Sequence, residues 1–199
     1  MARKMTVQEK SRVIEFEKRE RYALIQILNS MKTKNPDYNY TMYLSPIDSD
    51  TAYDAILTIR NRKDEVIKTY VIEAKNRSNI YSEMFLEKAK MNALNNIKPS
   101  LEMELGRPCE LIYMNFTSKC TFVFSLEEME IGKSKRVAMS SESFSDVNVK
   151  RNKLVYSLPL KEAIKMKFKY DEQEYLKSIE PVKVASITET KQIKTASIF

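Results

Sequence analysis

Asp54 and the tripeptide Glu73-Ala74-Lys75 are the residues of this chain whose types and spacing could do chemistry. In a strand, successive side chains alternate, so Glu73 and Lys75 share one face while Ile72 and Ala74 take the other. Eighteen residues separate Asp54 from Glu73. With a hairpin turn over residues 62 to 65, Asn61 faces Val66 and Asp54 falls directly opposite Glu73. The Cβ atoms of such a pair lie about 4.5–5.5 Å apart. Two carboxylates that close, among apolar neighbours, repel each other and lose solvation. A shared divalent cation relieves this, and so does protonation of one of them. Ligands that are all oxygen favour Mg²⁺ or Mn²⁺. Such an ion polarises a phosphoryl oxygen and lowers the pKa of bound water. Lys75 beside it would stabilise developing negative charge or orient the attacking water. Two neighbouring carboxylates keep its ammonium protonated unless burial wins. The plainer reading is a surface hairpin with a cross-strand ion pair. Against it, Ile56, Leu57, Val71 and Ile72 imply burial on both faces.

Composition narrows the alternatives. The 199 residues contain no His, which excludes His-metal sites, His-based triads and imidazole acid/base work. Only 2 Gly rule out both Gly-rich nucleotide loops. Cys109 and Cys120 are the 2 thiols, too few for a disulfide scaffold. Both are expected to be free thiols in a reducing compartment, with no His to activate either as a nucleophile. With 43% apolar and 31% charged residues, the chain has the composition of a soluble globular domain, and the 11 Met are ordinary core filler. Residues 1 to 6 lead into charged helix rather than an apolar leader, and no apolar run reaches the ~18 residues of a membrane span.

The elements that must position Asp54, Glu73 and Lys75 follow from periodicity. Val13, Phe16, Glu20, Leu24, Ile27 and Met31 recur at helical spacing and predict a helix over residues 7 to 32. Ile14, Glu17, Arg21, Leu24 and Leu28 make an overlapping stripe, and Asn35-Pro36-Asp37 ends the helix. Strands are predicted over 38 to 44, 53 to 60 and 66 to 75, the last two joined as an antiparallel hairpin. A second helix is predicted from 81 to 97 on Leu86, Ala89, Ala93 and Ile97, with Pro99 stopping it. A strand over 110 to 117 pairs with one over 121 to 125. Residues 126 to 152 are expected to be irregular and 154 to 158 a short strand. Residues 160 to 180 fit a helix on Ile164, Phe168, Tyr175 and Ile179, although residues 165 to 170 alternate like a strand.

Asp54, its spacing to Glu73-Ala74-Lys75, and the order helix, strand, strand, strand, helix, strand resemble the PD-(D/E)xK nuclease superfamily over residues 7 to 125. Tyr53 stands where the name-giving proline would sit. Asp48 and Asp50 are rival acids, but they belong to a loop without the hairpin register. The resemblance implies a mixed α/β (α+β) fold with a restriction-endonuclease-like αβββαβ core and a C-terminal extension. It implies metal-dependent hydrolysis of phosphodiester bonds in DNA, with Asp54 and Glu73 as Mg²⁺ (or Mn²⁺) ligands and Lys75 catalytic. The stretch from Glu20 to Leu28 is similar to the first helix of archaeal Holliday-junction-resolvase-like members, a Glu followed by an apolar stripe. This implies a catalytic role for Glu20, with Glu17 second. Many members contact substrate through a residue of the second helix, for which Lys88 and Lys90 are candidates that spacing does not separate. The ordinary alternative for Glu20, Lys88 and Lys90 is a solvated helix face.

The charge is +7, from 34 basic and 27 acidic residues. Between Lys133 and Lys169 stand ten basic residues and three acids, a balance that equals the whole surplus. Such a segment suits a polyanion, and Lys150, Arg151, Lys165 and Lys167 are its candidate nucleic-acid contacts, the bland alternative being a solvated lysine face. The expected organisation is a core over 1 to 125, a basic extension packed on it over 126 to 180, and a tail over 181 to 199. Val182, Val184 and Ile187 would let that tail add a strand to a second copy or an assembly partner. The expected activity is therefore a metal-dependent DNA nuclease in the cytoplasm. The alternative is a nuclease-like fold serving as a structural or binding component of a larger assembly such as a phage particle, in which case it would be virion-associated.

Overall fold

The hairpin that should carry the site is present, and its ladder keeps the expected register as far as Ala55. In the computed structural model, which describes residues 7–47, 49–77, 79–129, 131–140 and 150–179, β2 (Ala55–Arg60) pairs antiparallel with β3 (Val66–Asn76). Ala55 faces Ile72 and Ile59 faces Lys68. The turn differs from expectation: Arg60 faces Val66, and Asn61 N–H donates to Glu65 O at 3.0 Å. Ile67 is the extra residue of a bulge between these pairs, so the turn closes one residue tighter while the ladder beyond it keeps the expected register. The expected pairing stops short of Asp54, which precedes β2: its N–H donates at 2.8 Å to O of Ile72, the residue that Ala55 already faces, so Asp54 does not stand directly opposite Glu73.

Six strands form a mixed sheet in the order β1-β2-β3-β5-β6-β9, where β1 is Asn39–Leu44, β5 Glu110–Phe116, β6 Thr121–Ser125 and β9 Ile164–Met166. Only β3 and β5 run parallel, which requires a crossover; α2 (Lys88–Leu105) provides it. This is the expected mixed α+β arrangement, and the αβββαβ order holds with one insertion. Residues 81 to 87 are not the start of a helix. Glu83–Glu87 is a strand, β4, which joins β7 (Lys135–Ser140) and β8 (Lys150–Pro159) in a second sheet ordered β4-β8-β7. Met84 and Leu86 are buried while Glu83, Phe85 and Glu87 are half-buried, an alternation that a helical count starting at Leu86 conceals.

Three further expectations need correction. Pro99 does not stop α2; it lies inside the helix, which continues to bury Leu101 and ends at Gly106. That glycine is left-handed (φ 65°), and Arg107 N–H closes on Glu102 O at 3.1 Å. Residues 126 to 152 are not wholly irregular, because β7 and the start of β8 fall there. Residues 160 to 180 are not one helix. A 3₁₀ turn (Leu160–Glu162) leads into β9, and α3 is only Glu172–Ile179. Of the alternating stretch 165 to 170 only the first two residues are in a strand, because β6 has an open edge where Lys165 pairs with Phe122; residues 167 to 170 are neither strand nor helix.

Helix α1 (Val7–Lys34) packs on one face of the large sheet through Ala23, Leu24 and Ile27, all fully buried with Ile72, Ala74 and Ile112. Each such Leu or Ile contributes about 1.5–3 kcal/mol by leaving water. The other face packs under α2 and the second sheet, through Val71, Leu94, Leu111 and Leu158. Helix α3 closes over α1: Tyr175 stacks edge-on to Tyr22 (5.4 Å between centroids), and its hydroxyl donates to Glu15 Oε1 at 2.7 Å. Cys109 and Cys120 are buried free thiols. No helix among the described residues is long and apolar enough to cross a membrane. Residues 181 to 199, and with them the proposed docking strand, lie outside the described residues, as does Asp48.

Candidate active site

The site lies where β3 runs out from between the two packed faces. Ile72 and Ala74 anchor its inner face under α1, which turns Glu73 the other way with Val71. Helix α1 meets this strand end with two consecutive residues. Glu20 is buried, and both of its oxygens accept from Lys75 Nζ at 3.1 Å; Oε1 also accepts from Asn76 N–H at 3.4 Å. Arg21 reaches the other strand: its Nη1 donates to Asp54 Oδ1 at 2.5 Å, while Nε and Nη2 hold Ser45 O and Oγ. Asp54 Oδ2 accepts from Ala74 N–H at 2.6 Å, which ties the first acid to the backbone between Glu73 and Lys75. Lys75 Nζ stands 3.6 Å from Glu73 Oε1, and Lys90 Nζ stands 3.0 Å from Glu73 Oε2.

Three buried carboxylates are thus set against Arg21, Lys75 and Lys90. Burial pushes the Glu73 carboxyl up to about 8; Lys75 and Lys90 oppose the shift and Asp54 adds to it. Glu20 is also raised by burial, against the pull of Lys75. For Asp54, burial favours the neutral form, but Lys75, Arg21 and the Ala74 amide overcome it and hold the pKa below the ordinary aspartate value. Burial works against the charge on Lys75, yet Glu20, Glu73 and Asp54 together raise its pKa above the ordinary lysine value. Lys75 is therefore a permanent cation, suited to charge stabilisation and not to proton abstraction.

Of the candidates from sequence, Asp54, Glu73, Lys75 and Glu20 converge. Lys90 joins them, which separates it from Lys88; Lys88 faces Gly132 and Lys133 on another part of the surface. Glu17 lines the same cleft as Glu20. Lys165 and Lys167 are exposed on and just after β9, away from the cleft lining. Lys150 and Arg151 start β8, opposite Ser140 and Met139, and their side chains lie outside the described residues. Sequence reasoning missed two residues. Arg21 appeared only as a member of an apolar stripe, and an arginine there already calls for a buried anionic partner. Arg77, two residues beyond Lys75, donates to Tyr113 Oη at 3.0 Å, Asn115 Oδ1 at 3.3 Å and Phe85 O at 3.4 Å, bridging the two sheets. A tertiary contact of that kind leaves no local signature.

Glu20, Glu73, Lys75, Arg77 and Lys90 line one cleft of about 1190 Å³, walled by α1, by β4 and β7 of the second sheet, and by residues 169 to 173. Among the described residues no three His, Cys, Asp or Glu side chains form a ready metal cage. Mg²⁺, however, is commonly held by one or two carboxylates, with water and substrate phosphate completing the octahedron. The residues present fit that mode. Glu73 Oε2 is buried and accepts no well-aligned hydrogen bond, and its neighbour Asp54 is kept ionised.

No family model matches this chain, and no curated protein matches it. Among solved structures it is similar to a 1.6 Å structure of Archaeoglobus fulgidus Hjc, a Holliday junction resolvase from an archaeal hyperthermophile, with a TM-score of 0.38 and 10% identity over 69% of this chain and 91% of that one. That likeness concerns the chain trace; the functional reading stands on the side chains.

Proposed function

We propose that this chain is a Mg²⁺- or Mn²⁺-dependent nuclease that hydrolyses phosphodiester bonds in DNA. The observation that carries this reading is the convergence of Asp54, Glu73, Lys75 and Glu20 at the end of β3, with Lys75 within 3.1 Å of Glu20 and 3.6 Å of Glu73. Glu73 and Asp54 hold the ion, which when bound supplies Lewis acidity toward a phosphoryl oxygen. Asp54 can serve because Arg21 and the Ala74 amide fix its carboxylate in place and in the ionised state. Glu20 grips Lys75 with both oxygens, and so aims a fixed positive charge at the place where negative charge develops on the phosphorane-like transition state. Lys90 balances Glu73 before substrate arrives and is then available to a phosphate oxygen. Lys88, Lys150, Arg151, Lys165 and Lys167 are proposed as outer contacts to the DNA backbone.

The test is cleavage by purified chain of single-stranded, duplex, flapped and branched DNA with Mg²⁺ and with EDTA. The expected result is Mg²⁺-dependent cutting of at least one form, abolished by Glu73→Ala. If correctly folded wild-type protein cuts none of them, or if Glu73→Ala cuts as well as wild type, the reading fails.

A further inference from the structure

We infer that the cleft accepts one unpaired DNA strand, with Tyr81 as a base-stacking platform at its mouth, and not an uninterrupted duplex. This deepens the nuclease reading and rests on it for the chemistry, but its own support is the lining of the cleft.

A groove that grips duplex DNA by its two phosphate backbones carries a surplus of positive charge. This cleft does not. Among the described residues its lining holds seven carboxylates and six cations. Most of those cations are spent on neighbours: Arg19 on Glu172 at 2.7 Å, Lys153 on Glu87 at 2.6 Å, and Lys75 and Lys90 on Glu20 and Glu73. Just outside, Lys135 is paired with Glu83 at 3.0 Å. The walls between these pairs are apolar. Val13 and Phe16 on α1 face Phe85 on β4 and Val137 on β7, none of them fully buried. Such apolar walls suit the faces of nucleobases, which a duplex keeps stacked inside and a single strand presents outward, and Arg77 and Lys169 are the lining cations without an ion pair among those above, enough for one backbone but not two.

Two residues give this surface a direction. Tyr81 lines the cleft with 57% of its area exposed, in the short link between β3 and β4. An exposed aromatic ring at the mouth of a cleft is a platform for one base. Arg77, on the same link, has Nε and both Nη2 hydrogens committed to Asn115, Tyr113 and Phe85. Its guanidinium is fixed in place, and Nη1 has no partner among the described residues, which leaves two donors for a single phosphate. A strand entering past Tyr81 then meets one phosphate-binding arginine before it reaches Lys75, two residues back along β3.

The inference is tested by fluorescence anisotropy with labelled single-stranded DNA and a blunt hairpin duplex of matched length, Ca²⁺ replacing Mg²⁺ so that binding is read without cleavage. Single-stranded DNA should bind at least about 10-fold tighter than the duplex. Tyr81→Ala should weaken single-strand binding by about 5- to 100-fold, the range for loss of one stacked base, while Tyr81→Phe keeps it. Tyr81 is solvent-exposed, so the alanine variant should fold, which circular dichroism checks. Equal binding of the two DNAs, no binding of either, or a Tyr81→Ala variant that binds like wild type overturns the inference, whatever the nuclease assays give. A retained single-strand preference in a chain that cuts nothing with Mg²⁺ would instead leave the inference standing and remove the nuclease reading.

Discussion

Burial raises Glu73 to about 8 and moves Glu20 in the same direction, from an ordinary value of 4.5 for both. Between those limits the folded chain binds more protons than the unfolded one, so these two groups make stability fall as pH rises through the window. The raised Lys75 acts only above the ordinary lysine range, and the lowered Asp54 only below the ordinary aspartate range, so neither reverses the slope. In EDTA, the melting temperature should drop from about pH 5 to about pH 8, and Glu73→Gln should flatten the drop. Excess Mg²⁺ should also flatten it, with proton release that calorimetry in two buffers detects. A melting temperature that rises across this window would contradict the burial of Glu73. Arg21 and Asp54 form a pair with each side chain only 9% exposed. Arg21→Ala leaves Asp54 charged and buried, and should cost about 3–5 kcal/mol in urea unfolding. Replacing both by Ala should cost less than the two single changes added together. Asp54, Glu73 and Lys75 were legible in sequence because the alternation of a strand and the pairing of a hairpin are local rules. Arg21 and Arg77 were not, since their partners lie on other elements.

The hairpin shows how a correct register can rest on an incorrect turn. The bulge at Ile67 adds one residue to β3, and the tighter turn removes one, so the errors cancel before the ladder reaches Ala55. The bulge has no sequence signal here, being set by how the twisted strands meet. Helix α2 gives a second case. Pro99 is exposed, so its ring disturbs the helix on the solvent side, while Leu94 and Leu101 remain buried on the other. Burial of that apolar stripe outweighs the lost hydrogen bond. The actual stop is Gly106, whose left-handed φ of 65° favours a residue without Cβ. Gly106→Ala meets no neighbouring atom within 4 Å, so its cost should be that of the backbone alone, about 1 kcal/mol by chemical denaturation. A loss several times larger would mean that the cap is also a packing site. Strand β4 was hidden for a different reason: five residues alternate, too few to outvote the helical pattern that follows them.

At the scale of the molecule, the end of the described chain returns to its beginning. Helix α3 docks on α1 through Tyr175, which is 2% exposed, and through the Arg19–Glu172 pair, and residues 169 to 173 leading into it form part of the cleft wall. Tyr175→Ala removes a buried ring and its bond to Glu15. It should cost about 3–5 kcal/mol in urea unfolding. A change below about 1 kcal/mol would show that α3 is peripheral. Local pattern determined a good deal by itself: the absence of imidazole, the α1 and hairpin elements, and the shared face of Glu73 and Lys75. These depend on residue type and on periods of two and 3.6, which a sequence displays directly. Tertiary structure alone decided that β4 leaves the first sheet for a second, that Lys90 and not Lys88 reaches Glu73, and that the basic segment spends Lys135 and Lys153 on Glu83 and Glu87. Each of these turns on which distant side chain arrives within about 4 Å, a distance fixed by how the layers pack and not by separation along the chain.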